Sequence, residues 1–306
     1  MRRELSRVTA VAVLCLATAC ASLPDYEPPP QSVTLEPDPT TKLSRHAAEF
    51  ESRHGAGVSG FAPIDVNGDA LQWRLALVDS AQRSLDMLYY LWYRDPGGLV
   101  MLEHVIQAAE RGVRVRVVLD DALYIKGKKG LANLDAHPNI EVRIFNPWVH
   151  KGVGRAFETV GRMKRLNVRM HNKLLIADNR MAILGGRNVG DHYFGLHHKY
   201  NFHDLDMLVL GEAATASSEI FDHFWNSERV FPAAAFVEDP SWEAIEAVRA
   251  EELDELRDND DVRAFPIDRR DWSDELGSLV DRMSPGTATV EFDRLTPETR
   301  MPSQDG

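Results

Sequence analysis

A histidine, a lysine and an asparagine stand where a bound phosphate would need them. Residues 171–188 read His-Asn-Lys-Leu-Leu-Ile-Ala-Asp-Asn-Arg-Met-Ala-Ile-Leu-Gly-Gly-Arg-Asn. Two apolar runs flank the turn-prone Asp178-Asn179, which predicts a hairpin within residues 165–192. His171 and Lys173 are two apart and share one face of the first strand, with Leu174 and Ile176 on the other. A loop of Asn179-Arg180 sets His171 opposite Asn188, and a loop of Asp178-Asn179 sets it opposite Gly186. Either register brings His171, Lys173 and Asn188 to one side. Gly185 and Gly186 have no side chains to keep a phosphate from the backbone. A neutral imidazole is a competent nucleophile near pH 7, and a cation and an amide donor stabilise charge developing on phosphoryl oxygens. This chemistry calls for no metal and no cofactor.

The plain alternative is a hydrogen-bonded strand histidine beside a solvated lysine, and it leaves the glycine pair and Asn188 unexplained. A decoy shows how little three positions mean alone. His197, Lys199 and Asp204 repeat the spacing His-x-Lys-x4-Asp, but no Gly-x-x-Asn follows and no hairpin encloses them. Asp120-Asp121 reads as a turn at a strand end, with no second acidic cluster to make a metal site.

The elements around the hairpin follow from periodicity. Helical spacing over 71–85 gives way to a strand-like run over 85–92, and Asp95-Pro96-Gly97-Gly98 is a turn. Residues 99–111 are helical and stop at Gly112, 113–119 form a strand, and 140–145 form another. Two more helices are expected over 214–230 and 244–256. The alternation predicts an α/β fold with a mixed, largely parallel β-sheet flanked by helices on both faces.

The pattern His-x-Lys-x4-Asp, followed after six residues by Gly-Gly-x-Asn, resembles the signature of the phospholipase D superfamily. His171, Lys173, Asp178, Gly185, Gly186 and Asn188 meet it. Arg111-Gly112-Val113-Arg114-Val115, Phe145-Asn146-Pro147, Asn188-Val189-Gly190-Asp191 and Asp204-Leu205-Asp206 extend the resemblance to the bacterial cardiolipin synthase branch, over roughly residues 45–236. The resemblance implies a phospholipase D-like catalytic lobe in which His171 becomes phosphorylated, Lys173 and Asn188 hold the phosphoryl oxygens beside Gly185 and Gly186, and Asp178 braces the loop. Asp204 stands where the family carries an acid that orients the histidine; on the residues alone, a strand-edge carboxylate is equally open. The implied reaction is phosphatidyl transfer between phospholipids, phosphatidylglycerol serving as donor and acceptor, with phosphodiester hydrolysis, as a phospholipase or a nuclease, as the alternative and a non-catalytic lipid-binding lobe as a third reading.

Lipid-acting members of that branch carry two such motifs, and this sequence carries one. The second histidine is therefore expected from a homodimer or from a partner chain that supplies a second lobe. The net charge of −12 disfavours non-specific nucleic-acid binding, so none is expected. Charge is uneven, however. Residues 151–173 hold 7 basic residues against one acid, Glu158, while 238–275 hold 15 acidic and 5 basic. The basic stretch suits a phosphate or lipid-headgroup surface, with a solvated loop as the close alternative.

Both cysteines, Cys15 and Cys20, lie within the first 20 residues, so the remainder can form no disulfide and no thiolate metal site. Arg2, Arg3 and Arg7 precede an apolar run from Val8 to Ala19 that is short for a membrane span. Leu16-Ala17-Thr18-Ala19-Cys20 resembles a bacterial lipobox, which implies a signal peptide over 1–20 and lipidation of Cys20. Ala21, by the sorting rule for such proteins, implies the periplasmic face of the outer membrane in a bacterial cell envelope. Six prolines between Pro24 and Pro39 predict an extended tether over 21–44. The catalytic lobe is expected over 45–236, followed by a partly disordered acidic linker over 237–306.

Overall fold

The computed structural model describes residues 26, 28–121, 127–148 and 169–292. The leader over 1–20, with Cys20, and most of the basic stretch lie outside them.

Among the described residues one nine-stranded sheet organises the chain; with strands β1 (Ser59–Ile64), β2 (Ser84–Tyr89), β3 (Arg114–Asp120), β4 (Ile140–Phe145), β5 (Leu174–Ala177), β6 (Met181–Gly185), β7 (Asp206–Leu210), β8 (Val230–Pro232) and β9 (Ser284–Gly286), its order is β8-β4-β3-β2-β5-β6-β7-β1-β9. Its middle is built by crossover units: β2 (Ser84–Tyr89), α3 (Pro96–Glu110), β3 (Arg114–Asp120), α4 (Lys128–Asp135) and β4 (Ile140–Phe145). These three strands pair in parallel, because a helix returns the chain after each strand. All six residues of β2 are buried, the expected pattern for a central strand covered on both faces.

The expectation of a largely parallel sheet is corrected here. The β2–β3 and β3–β4 pairs are parallel, and the other six pairings are antiparallel. The hairpin of β5 (Leu174–Ala177) and β6 (Met181–Gly185) docks antiparallel on β2, and β7 (Asp206–Leu210) and β1 (Ser59–Ile64) continue in the same sense. Tight turns can join only antiparallel neighbours, so the hairpin that carries the motif determines the sense of this half.

Helices cover both faces, as expected. On one face α6 (Glu212–Trp225) packs Phe221, Phe224 and Trp225 over Leu88, Val118, Leu174 and Ile176. On the other, α1 (Lys42–His54), α2 (Asn67–Ser80) and α3 cover Leu85, Met87, Val115, Val117 and Leu175. The Asp95-Pro96-Gly97-Gly98 segment opens α3 instead of forming a free turn. Asp95 caps Gly98 N–H at 3.0 Å and Pro96 takes the first helical position, where its missing N–H costs nothing.

Two expected boundaries also move. Residues 32–35 of the predicted tether run along the sheet: Thr34 N–H donates to Asp222 at 2.9 Å, Arg116 donates to Thr34 Oγ1 at 3.0 Å, and Trp225 Nε1 donates to Ser32 at 2.8 Å. Gln31 to Leu35 contain no proline, so their backbone donors remain free to pair. On the far side, α7 (Glu243–Arg257), α8 (Ser273–Arg282) and β9 (Ser284–Gly286) belong to the fold beyond residue 236. Leu256, Val262, Trp272, Leu276 and Val280 join the larger core, and β9 pairs with β1. The helix expected over 244–256 is α7; its acidic composition hid only that it packs on the core, because charge on an amphipathic helix points away from the core it packs on.

Candidate active site

The site begins at the end of β3. Asp120 is buried there, and its carboxylate accepts Met170 N–H at 2.9 Å and the Arg169 guanidinium at 3.1 Å. That holds the backbone immediately before His171. His171 itself is exposed, and its ring lies 5.0 Å from that of Tyr90, just beyond β2. Lys173 is only 4% exposed; its ammonium donates to the His171 carbonyl and sits 5.3 Å from the Tyr90 ring centroid. The cation is thus packed against an aromatic face with its aliphatic stem inside.

The hairpin takes neither expected register. Leu174 pairs with Leu184 and Ala177 with Met181, so the loop is three residues, Asp178-Asn179-Arg180. Asp178 and Asn179 both adopt left-handed backbone, at φ 51° and 53°, which Asn and Asp tolerate better than most residues. Lys173 therefore faces Gly185, whose N–H donates to the Lys173 carbonyl at 3.3 Å. Asn188 lies outside this hairpin pairing. The chain leaves the ladder after Gly185, and Val189 bridges to Trp92. Asn188 is buried there, accepting Leu91 N–H at 3.0 Å and donating to Tyr193 Oη at 2.8 Å.

Asp178 is a brace. Its carboxylate accepts the backbone N–H groups of Gln82, Arg83 and Ser84 at 2.7–3.1 Å, tying the hairpin tip to the start of β2. Burial pushes this carboxyl above the ordinary range despite those donors.

The glycine pair leaves room for two carboxylates. A Cβ at Gly185 would stand 2.2 Å from Asp206 Oδ1 and 2.5 Å from Asp206 Cα; one at Gly186 would stand 2.0 Å from Asp204 Oδ1. Asp206 is buried between two guanidiniums, Arg74 at 2.9 Å and Arg187 at 3.4 Å. Arg187 also donates to the Ile64 and Asp65 carbonyls, so this ion cluster clamps the turn after β6. Asp204 is half-buried and accepts Leu205 N–H at 2.9 Å. No hydrogen bond joins it to His171, so its influence on the imidazole in this structure is through charge.

That influence can be seen in both titrating groups. Partial burial and the Lys173 charge hold His171 below its usual pKa, against the upward pull of Asp204. Burial brings Lys173 down to about 8, again opposed by Asp204. At neutral pH the pair is therefore a neutral imidazole beside a mostly charged ammonium, which is what nucleophilic attack on a phosphodiester requires.

The structure thus brings His171, Lys173, Gly185, Gly186 and Asp204 together and uses Asp178 as a support; Asn188 is tied to Leu91, the residue after the Tyr90 that packs on His171, while Cys20 lies outside the described residues. The decoy histidine belongs to an exposed loop, where His197 packs on His192 and Tyr200. Sequence reasoning took Asp120 for a turn residue, where it is the buried last residue of β3, and missed Tyr90, Tyr193 and the Arg74–Asp206–Arg187 cluster. Asp206 carried a signal, as an acid two residues from Asp204. Among the described residues no group of three or more His, Cys, Asp or Glu could hold a metal ion.

A mixed α/β sheet carrying the His-x-Lys hairpin beside a Gly-Gly turn defines the class: the chain belongs to the phospholipase D superfamily. Within it, residues 75–225 match the family described as cardiolipin synthase, PLD-like domain. Cardiolipin synthase C of Escherichia coli (strain K12) is 34% identical over 229 residues, covering 75% of this chain and 48% of that protein. An uncharacterized protein of Helicobacter pylori (strain J99) is 37% identical over 203 residues, covering 65% of this chain and 40% of that one. The chain therefore spans less than half the length of these relatives. Among solved structures, the phospholipase D family member Nuc from Salmonella typhimurium is 19% identical with a TM-score of 0.39, covering 57% of this chain and 96% of that one.

Proposed function

We propose that this chain performs phosphatidyl transfer on phospholipids, with phosphatidylglycerol as donor and acceptor. The observation that carries it is the His171–Lys173 pair, an exposed imidazole held below its usual pKa beside a buried ammonium. In the first step His171 attacks phosphorus, the P–N bond forms, and the bond to the departing glycerol oxygen breaks as that oxygen takes a proton. In the second, an acceptor hydroxyl attacks the phosphohistidine, gives up its proton and releases the imidazole. Lys173 and Asn188 hold the phosphoryl oxygens in both. The match to the cardiolipin synthase domain supports lipid as the substrate. So does the surface beside Asp204, where Tyr200, Phe202 and Leu205 are all exposed.

The second reading, hydrolysis with water as acceptor, uses the same intermediate. An assay of the purified protein with labelled phosphatidylglycerol, beside His171→Ala, separates them: cardiolipin and glycerol signal transfer, phosphatidic acid signals hydrolysis, and turnover that survives His171→Ala refutes both.

His171 cannot attack phosphorus and also protonate the leaving oxygen on its far side. We place that acid on a second copy of the chain or on a partner lobe. Mixing His171→Ala chains into wild type should suppress activity as the square of the wild-type fraction in a freely exchanging dimer. A linear fall from a monomeric protein would put the acid in this chain. We further propose anchoring at Cys20 to the periplasmic face of the outer membrane. Cys20→Ser should then release the protein from the membrane fraction; retention at high salt would refute the anchor.

A further inference from the structure

Beneath the α3 side of the sheet lies a cavity of about 610 Å³, within the range of specific ligand pockets. Leu99, Leu102 and Val105 of α3 form one wall, Val117 and Leu119 of β3 the floor, and Ile245 of α7 the opposite wall. Native cores seldom leave such a volume empty, because unfilled space forfeits contacts on every side.

Three observations decide what it would take. First, two of its three cationic side chains are committed to carboxylates: Arg249 pairs with Glu103 at 2.8 Å and with Glu110, and Arg94 pairs with Glu252, while the third, Lys129, is exposed to solvent. The interior thus offers aliphatic surface and no charge to a headgroup. Second, the wall runs from buried Leu91 to exposed Arg94, so the cavity reaches the surface. Third, Leu91 donates its N–H to Asn188 at 3.0 Å, so one short segment forms both the cavity wall and the support of the phosphate site. An occupant with an aliphatic body inside and a phosphodiester outside would span the two.

We propose that this cavity holds one acyl chain of the phospholipid whose phosphodiester His171 attacks. The proposal rests on the reading of the chain as a lipid phosphatidyltransferase, and it makes the cavity the determinant of chain length. A long chain is drawn in by the burial of its methylenes, while a short-chain substrate is left with the headgroup contacts alone.

Binding is measured first, without turnover. A dansyl-labelled undecanoate is bound to the purified full chain and displaced by lysophosphatidylglycerols from hexanoyl to tetradecanoyl, each kept below its micelle-forming concentration. Affinity should rise up to about fourfold per added methylene until the cavity is full. Leu102→Trp and Ile245→Trp, which fill it from opposite helices, should each weaken the tetradecanoyl ligand at least about tenfold while hexanoyl binding is unchanged. Turnover is measured second: both variants should lose the preference for long-chain over dihexanoyl phosphatidylglycerol and keep wild-type rates on bis(p-nitrophenyl) phosphate. Equal affinity for hexanoyl and tetradecanoyl ligands in wild type overturns the proposal, as does an intact chain-length preference in both filled variants. If wild type turns over no lipid at all, the transferase reading fails and the binding series alone decides the cavity.

Discussion

Asp120 Oδ2 accepts the backbone N–H of Met170 at 2.9 Å, so the last residue of β3 holds the peptide that leads into His171. His171 lies outside any strand, three residues before β5. Its backbone is held by this carboxylate through the preceding residue and by Lys173, which donates to its own carbonyl.

Asp120→Ala should therefore lower kcat by about 10–100-fold with little change in KM, since displacing a reacting group by about 1 Å costs roughly that much. Steady-state kinetics on bis(p-nitrophenyl) phosphate check it. A change confined to KM would show that Asp120 does not position the histidine.

The two glycines should fail in different ways. At Gly185 an added Cβ meets Asp206 Cα and the Leu205 carbonyl, which are backbone and cannot yield, so Gly185→Ala should cost at least about 3 kcal/mol of stability. At Gly186 the obstacle is the Asp204 carboxyl group, which can swing aside. Gly186→Ala should fold normally and lose activity. Urea denaturation beside an activity assay separates the two outcomes.

Asp206→Asn should destabilise the protein by about 3–5 kcal/mol, because it leaves the Arg74 and Arg187 guanidiniums buried without their shared counter-charge. The midpoint of urea unfolding measures it. A loss under about 1 kcal/mol would mean that the carbonyls around Arg187 suffice to hold the cluster.

Activity should be bell-shaped in pH. It rises as His171 loses its proton, below the ordinary histidine value, and falls as Lys173 loses its proton, near pH 8. Asp204 raises both pKa values, so Asp204→Asn should move both limbs to lower pH. A profile of kcat/KM against pH tests the sign: a shift of the acid limb alone would tie Asp204 to His171 by itself. Lys173→Arg should carry the alkaline limb upward, since guanidinium keeps its proton there.

The sequence by itself determined the local chemistry. His171, Lys173, Asp178, the glycine pair and Asn188 were legible because a hairpin is short-range: its strands, its turn and its glycines all lie within eighteen residues. The helix of the first crossover unit was legible for the same reason, since an amphipathic period is written along it, whereas the short helix Lys128–Asp135 of the second was not. The tertiary structure decided what depends on distance along the chain. The register turned on two left-handed residues in a three-residue loop, and the route of Asn188 on a bridge from Val189 to Trp92. Asp120 lies 51 positions before His171, and Arg74 lies 132 before Asp206, so no periodicity connects them. A buried carboxylate or guanidinium must find a partner wherever the fold supplies one, and that choice is made by the packed sheet. The antiparallel half of the sheet, the packing of the helices beyond residue 236 on the core and the cavity between α3 and α7 arise in the same way, from elements that meet only once the chain has folded.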